Sequence, residues 1–349
     1  MTAFALRRIP LLPRLLLLPL CLVGGGLCPL RADEPLDRLR RGEFRWTATP
    51  PLVAPVERPE DRCFSVKDPT VVRHDGRWHL FSTIRSEQRT HQIEYAAFED
   101  WEAADAAPRT ILTLLPGYFC APQVFYFRPQ ERWYLVYQVE HPQGKPTLLP
   151  AFSTSETVGD PASWSAPQLM FDERPDSVSS WIDFWVVCDE SRAHLFFTSN
   201  DGRFWRCDTL LEAFPRGWSD PRVVLAGDIF EASCTYRLKG TDSWLTIIEA
   251  VGDRGRRYYK AYLADSLDGD WTPIADTPER PFAAPRNVAG ADWTTSFSHG
   301  ELLRSSNDER LEVDPANLEF LYQGVSDAER EGVPYGRIPW RLGLLRSVP

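Results

Sequence analysis

The stretch Trp181-Ile-Asp-Phe-Trp-Val-Val187 places one acidic residue at the start of a short run of aromatic and β-branched residues. Such a run is too short for a helix and consists of residues that favour strands, so it predicts a buried β-strand with Asp183 near its beginning. An acidic side chain in that position costs free energy unless it is paired or has a function.

Two other stretches share this design. Val66-Lys-Asp-Pro-Thr-Val-Val72 places Asp68 ahead of a β-branched run, and Ile229-Phe-Glu-Ala-Ser-Cys234 places Glu231 similarly. Each acid alone has an ordinary explanation, because an Asp at a strand start often caps a turn or meets an arginine. Three such acids at corresponding places favour one shared site.

The three stretches each open a unit of a sequence repeat with a period of roughly 50 to 65 residues. A unit begins with a short strand, passes a polar turn into an aromatic strand and ends near a Trp. The five units begin at Asp68, Ala121, Asp183, Glu231 and Ser298. About four short strands per unit is the pattern of a β-propeller, so the chain is predicted to be all-β, with five blades over residues 44–349. A β-sandwich, the alternative, would not repeat the opening and the closing Trp.

The first 32 residues are typical of a secretion signal. Arg7 and Arg8 precede an apolar stretch that proline and arginine interrupt, and a cleavage site follows at Ala32. We therefore expect a signal peptide over 1–32, a flexible leader over 33–43, and a secreted or periplasmic protein. A retained membrane anchor is the alternative.

The amino-acid composition and net charge exclude some classes of binding partner. The net charge of −10 disfavours nucleic acid and anionic membranes, and the 43% of hydrophobic residues suffices for a large core. We expect a monomer. The five cysteines after the signal form no CxxC pattern, so zinc binding through sulfur is not expected.

The propeller geometry gives these acids a chemistry. The first strand of each blade lines the central channel, so Asp68, Asp183, Glu231 and His299 are expected to meet at one mouth of it. Neighbouring carboxylates cannot all ionise independently, so at least one pKa rises and yields a proton donor, while another acid stays ionised as a general base. An acid and a base on opposite sides of a sugar, with room for water, is the arrangement of an inverting glycosidase.

Two further predictions concern ligands. Trp185 and Tyr335 could stack on a sugar face, although blade packing explains most of the 13 Trp residues equally well. His299, beside Gly300, by itself is more typical of a core or loop histidine than of a metal ligand, because calcium prefers oxygen donors.

Residues 44–346 resemble glycoside hydrolase family 62. The matching motifs run in order along the chain and include Ser65-Val-Lys-Asp-Pro-Thr-Val-Val72, Ala121-Pro-Gln-Val-Phe-Tyr-Phe127, Phe230-Glu-Ala-Ser233, Ser298-His-Gly-Glu-Leu302 and Pro339-Trp-Arg-Leu-Gly-Leu-Leu345. That family consists of secreted α-L-arabinofuranosidases with five-bladed propellers, which remove arabinofuranosyl groups from arabinoxylan with inversion.

The resemblance implies roles for individual residues. Asp68 would be the general base, Glu231 the general acid, and Asp183 the residue that orients the acid and raises its pKa. Substrate contacts are expected from Lys67, Gln138, Trp185, Phe230 and Tyr335. His299 would bind a largely hydrated calcium ion on the axis.

Two departures from the family pattern affect the polymer-binding face. Phe119 stands where the family commonly has Arg, and Gly336 where it has an Asn that is thought to hold the xylan backbone. Hydrolysis of arabinofuranosides is therefore better supported than a preference for arabinoxylan, and arabinan stays open. The alternatives are a family 43-like arabinanase or β-xylosidase, and a propeller that binds glycan without cleaving it.

Overall fold

The computed structural model describes Met1 and residues 34–348. The secretion signal predicted over 1–32 lies, apart from Met1, outside these residues. In the part of the chain that is described, no helix is both long enough and apolar enough to span a bilayer.

The first described segment differs from the flexible leader predicted over 33–43. Helix α1 (Glu34–Arg40) forms there and buries Leu39 in the main core, with Leu36 packed against the same core. The two leucines are three residues apart and share one helix face, which gives this short charged segment an apolar side. Strand β1 (Trp46–Ala48) follows.

The first two blades are four-stranded antiparallel sheets, each running outward from the channel in chain order. Blade one consists of β2 (Cys63–His74), β3 (Arg77–Ser86), β4 (Gln92–Phe98) and β5 (Arg109–Ile111). Blade two consists of β6 (Phe119–Phe127), β7 (Arg132–Glu140), β8 (Leu148–Ser155) and β9 (Gln168–Leu169).

Blades three and four repeat this order, and blade four has one additional short strand at its outer edge. Blade three consists of β10 (Ile182–Cys188), β11 (Arg192–Ser199), β12 (Arg203–Leu210) and β13 (Arg222–Ala226). Blade four consists of β14 (Cys234–Leu238), β15 (Trp244–Val251), β16 (Arg257–Ala264), β17 (Thr272–Thr277) and β18 (Arg280–Pro281).

Blade five joins the two ends of the described chain. The last part of the chain contains β19 (Val288–Ala289), β20 (Ser296–Leu302), β21 (Glu312–Val313), β22 (Glu319–Val325), α2 (Asp327–Arg330) and β23 (Arg341–Ser347), of which β21 joins the sheet of blade four. The sheet of blade five has the order β19-β1-β23-β22-β20, so β1 supplies the fourth strand, while β21 pairs in parallel with β14. The five sheets confirm the predicted propeller, but the fifth sequence unit does not contain all of its own strands.

Five short 3₁₀ helices lie in the connections: Trp101–Ala103, Arg128–Gln130, Asp253–Gly255, Pro285–Asn287 and Tyr335–Arg337.

Two of the Trp residues that close the sequence units pack between neighbouring blades. Trp164 of blade two meets Phe81 of blade one edge to face at 5.6 Å, and Trp271 of blade four meets Phe196 of blade three at 6.2 Å. Because each sheet is covered on both faces, its strands are buried almost throughout, as in β10. This explains why the repeat consists of aromatic and β-branched runs rather than strict alternation.

We expect ring closure to depend strongly on Trp46. Its indole is 2% exposed, donates to the carbonyl of Phe282 at 2.6 Å and packs on that ring at 5.1 Å. Trp46→Ala should lower the free energy of unfolding by about 3–5 kcal/mol, because it removes a large buried ring that packs on Phe282 and leaves a cavity. Urea denaturation measures the loss. Val223→Ala, at a side chain that is 46% exposed, is the control and should cost far less; an equal loss in the two variants would contradict this role.

Candidate active site

A recurrent backbone distortion marks the inner edge of the first four blades. In the first four blades one non-glycine residue at the inner strand has a positive φ: Asp68 (46°), Ala121 (51°), Asp183 (58°) and Ala232 (53°). In the first three blades the strand pairing shifts register at that point. Such conformations are strained for residues other than glycine and commonly mark functional sites.

This distortion refines the predicted equivalence of the three acids. Asp68 and Asp183 occupy the same position in blades one and three, whereas in blade four that position belongs to Ala232. Glu231 therefore stands one residue earlier than the two aspartates. The acids converge, but not from three equivalent backbone positions.

Asp68 is held by Lys67, by His299 and by the fifth blade. Its carboxylate lies 3.6 Å from Lys67 Nζ and 3.2 Å from His299 Nδ1, and its backbone N–H donates to Gln323 Oε1 at 2.8 Å. Burial raises the pKa of Asp68, but Lys67, His299 and the hydroxyl of Thr83 more than offset this and hold it below the ordinary value. Asp68 is therefore ionised at neutral pH and suited to accept a proton.

Asp183 connects blade three to the segment that carries Glu231. Its Oδ2 accepts a hydrogen bond from the Ala232 N–H at 3.0 Å and lies 3.9 Å from His299 Nδ1. Burial, followed by the charge of Asp68, raises the pKa of Asp183 to about 7. Because it binds the residue next to Glu231, Asp183 can position that acid, as the resemblance implies.

Glu231 is half-buried, and its backbone is fixed to β15 through hydrogen bonds between its carbonyl and the Glu249 N–H and between the Phe230 N–H and the Glu249 carbonyl. Burial is the largest cause of its raised pKa and the charge of Asp183 the second, while Arg257 and Lys67 act in the opposite direction. The pKa of Glu231 reaches about 8. At neutral pH this side chain is protonated and can donate a proton.

A fourth acid at the site, Glu249, received no role from sequence reasoning. It is fully buried in β15, and its carboxylate accepts from the Ser298 hydroxyl at 3.1 Å and from the His299 N–H at 2.7 Å. Burial and the charge of Glu231 raise the pKa of Glu249 to about 7. Its position inside an apolar strand, Ile-Ile-Glu-Ala-Val, was the sequence signal, since a buried Glu in such a run requires partners. Its bonds place blade five against blade four.

Arg257 is a second residue that the sequence analysis did not single out. Its guanidinium lies 3.8 Å from the centre of the Phe230 ring, and its Nη1 is 3.6 Å from Glu249 Oε1. One face of Phe230 is therefore covered by a cation, which leaves at most the other face for a sugar.

Two predicted substrate contacts lie at the rim of the pocket. Lys67 Nζ is 5.6 Å from the centre of the Tyr335 ring, and the same amino group approaches Asp68. Tyr335 is 51% exposed and belongs to the 3₁₀ helix Tyr335–Arg337. Both side chains therefore lie near Asp68, and their contact with a sugar stays a prediction.

Gln138 and Trp185, two further predicted substrate contacts, have hydrogen-bond partners within the protein, and their contact with a sugar stays a prediction. The Gln138 amide donates to the Tyr118 hydroxyl at 3.0 Å, and its carbonyl accepts from the Asp183 N–H at 3.1 Å, so both ends bind protein. Gln138 therefore positions Asp183. Trp185 is 5% exposed and donates to the Thr235 carbonyl at 2.9 Å, which makes it a core residue; in β10 it is two residues past Asp183, within the buried part of the strand.

The calcium ion predicted at His299 has few protein ligands among the described residues. No three His, Cys, Asp or Glu side chains of these residues are arranged to hold a metal ion. His299, Asp183 and Ser233, whose buried hydroxyl has no hydrogen-bond partner, border a cavity of about 10 Å³, room for about one water molecule. Calcium takes six to eight oxygen ligands, so water would have to supply most of them, and calcium at His299 stays a prediction.

The pH above which activity falls should depend on how far the charge of Asp183 raises the pKa of Glu231. Removing a neighbouring negative charge lowers the pKa of an acid, so Asp183→Asn should move the alkaline limb of kcat/KM to lower pH by about one unit. Asparagine can still accept from the Ala232 N–H. The measurement is the pH profile of kcat/KM. Asp172→Asn, at an exposed position, is the control; an unmoved limb in Asp183→Asn would show that its charge does not raise the Glu231 pKa.

Comparison with known proteins identifies relatives of this chain. The chain is 38% identical over 315 residues to alpha-L-arabinofuranosidase C of Cellvibrio japonicus (strain Ueda107). The aligned region covers 88% of this chain but only 47% of the relative. The chain thus spans about half the length of that curated relative.

Solved structures extend the likeness over the whole propeller. The catalytic domain of the Coprinopsis cinerea α-L-arabinofuranosidase is 38% identical, with a TM-score of 0.82 over 87% of this chain and 97% of that one. The α-L-arabinofuranosidase of Podospora anserina, in complex with cellotriose, is 35% identical, with a TM-score of 0.81 over 88% and 97%.

The family model described as glycosyl hydrolase family 62 matches residues 45–346. This match covers the propeller and every acid of the site, and it favours family 62 over the family 43 alternative. The chain belongs to glycosyl hydrolase family 62.

Proposed function

We propose that this protein is an exported α-L-arabinofuranosidase that removes single arabinofuranosyl side groups from arabinoxylan, or from a related arabinose-bearing polysaccharide, with inversion at the anomeric carbon. The observation that carries the proposal is that Glu231 and Asp68 lie near Lys67 and each other, in surroundings that raise the pKa of Glu231 and lower that of Asp68. Environments that separate two carboxyl pKa values assign the acid and the base.

In the proposed reaction, Glu231 donates its proton to the glycosidic oxygen as the bond to the anomeric carbon breaks. A water molecule attacks that carbon from the opposite face, and Asp68 takes the proton that the water loses. The products are free arabinose of inverted configuration and a polymer with a restored hydroxyl group. Asp183 positions the segment of Glu231, and its charge keeps the acid protonated.

The substrate class rests on relatives and on the pocket rim. The names of the Cellvibrio, Coprinopsis and Podospora proteins describe α-L-arabinofuranosidases, and the Podospora structure contains cellotriose, a β-linked oligosaccharide. The retention of all three acids favours an enzyme over a propeller that only binds glycan. The predicted signal over residues 1–32 supports export, and we propose that the protein acts as a monomer.

The test is incubation of the purified protein with arabinoxylan, arabinan and arabinogalactan. We expect arabinose as the only released sugar, mainly from arabinoxylan, and the β-anomer first in early ¹H NMR spectra. Release of xylose or of arabino-oligosaccharides would contradict the proposed specificity. Early accumulation of the α-anomer would contradict inversion.

A further inference from the structure

Arg85, near the end of β3, carries a guanidinium that the protein does not neutralise. Among the described residues, its side chain has no hydrogen bond, ion pair or cation–π contact, and its Nε is buried without a partner. The side chain is half-buried. A guanidinium removed from water without an acceptor costs free energy, which a ligand could recover.

The guanidinium of Arg85 lies against Gly336. A Cβ atom at residue 336 would lie 2.5 Å from Arg85 Nη1, closer than real atoms approach, and 3.0 Å from Nη2. The guanidinium therefore occupies the space that a side chain at 336 would fill, and such a side chain would displace this flexible group.

Arg85 lies at the edge of the pocket described above. Gly336 follows Tyr335, whose ring faces Lys67, and Lys67 approaches Asp68. Burial lowers the pKa of Arg85, and the titratable groups near it include Tyr335, Arg337, Tyr118 and Cys120.

The neighbouring cations have partners that Arg85 lacks. Arg337 pairs with Glu87 at 2.8 Å and lies over the Phe64 ring, and Lys67 lies 3.6 Å from Asp68. An uncompensated cation beside the site is notable in a protein of net charge −10.

We propose that Arg85 is a specificity-determining residue that binds the carboxylate of a uronosyl group carried by the polysaccharide near the arabinosyl group to be removed. The planar guanidinium presents a fork of N–H donors that matches a carboxylate, whereas a neutral hydroxyl would leave the charge uncompensated. This inference rests on the proposed function and narrows its substrate to an acidic, arabinose-bearing glycan.

The test compares one polymer in two forms: arabinoxylan that carries glucuronosyl groups, and the same polymer after reduction of its carboxyl groups to alcohols. Wild-type kcat/KM for arabinose release should be about tenfold higher on the acidic form, since hydrogen bonds between charged groups are stronger than those between neutral groups. Raising the salt concentration should shrink this ratio.

Three variants test whether Arg85 causes the preference for the acidic polymer. Arg85→Gln should bring the ratio of the two kcat/KM values to about one, and Gly336→Asn should lower it by displacing the guanidinium. Arg337→Gln is the matched control, because it removes an equal charge from the same rim and should keep the ratio.

The outcomes separate this inference from the proposed function. A wild-type ratio near one, or a ratio unchanged in Arg85→Gln, overturns the role of Arg85 while arabinose release still supports the enzyme. If the wild type releases arabinose from neither polymer nor from 4-nitrophenyl α-L-arabinofuranoside, the proposed function fails, and this inference with it. The wild-type comparison decides even where a variant does not fold.

Discussion

Replacement of Glu231 with glutamine is expected to lower kcat for 4-nitrophenyl α-L-arabinofuranoside by on the order of 10²–10⁴, the usual contribution of a general acid. Glutamine has nearly the same shape and no transferable proton. The backbone hydrogen bonds that join residues 230 and 231 to β15 do not involve the Glu231 side chain, so the fold should persist.

Two comparisons make this result specific. Glu156→Gln removes a carboxylate from a side chain that is 78% exposed, paired with Arg132, and should leave kcat near the wild-type value. Circular dichroism and the thermal midpoint should agree among the three proteins. Near-normal turnover by a folded Glu231→Gln variant would refute the assignment of the acid.

Replacement of Asp68 with asparagine is expected to be similarly severe, by on the order of 10²–10⁴ in kcat, because no proton acceptor then stands in the place from which water attacks. Asparagine tolerates a positive φ better than most residues, so the strained backbone at 68, with φ of 46°, can be kept. The loss should therefore reflect the missing base.

The chain offers a matched control for this substitution. Asp75 also has a positive φ, of 48°, but it lies in a turn and its side chain is 87% exposed. Asp75→Asn should leave kcat and the thermal midpoint nearly unchanged. A comparable loss of kcat in both variants would mean that the effect comes from the backbone and not from a base.

The parts of this protein that the sequence predicts are those with local signals. The repeat of aromatic strands and closing Trp residues indicates five blades, because each blade needs the same residues to pack on its neighbours, as Trp164 does on Phe81. Asp68, Asp183 and Glu231 stand out because each is an acid at the start of a buried run.

Features that depend on distant contacts were missed or misassigned. The pairing of β1 with β23 closes the ring between residues about 300 positions apart in sequence, and no local pattern marks it. Helix α1 is short and charged, so its stability comes from burying Leu39 and not from its own propensity.

Within the site, residue type alone could not show which residues contact the substrate and which hold the acidic residues in position. Trp185 and Gln138 lie close to Asp183 along the chain or in space, but one faces the core and the other binds the Asp183 backbone. Glu249 and Arg257 sit in ordinary strand sequences, and only the assembled sheets reveal that they meet.

The most direct test of the assignment of Glu231 as acid and Asp68 as base compares Glu231→Gln and Asp68→Asn on arabinofuranosides whose leaving groups differ in acidity. A good leaving group needs no proton. The kcat of Glu231→Gln should therefore be closer to the wild-type value on 2,4-dinitrophenyl α-L-arabinofuranoside than on 4-nitrophenyl α-L-arabinofuranoside. The deficit of Asp68→Asn should stay the same, because water must still be deprotonated. A constant deficit in Glu231→Gln, or one that disappears in Asp68→Asn, would contradict the assignment of acid and base.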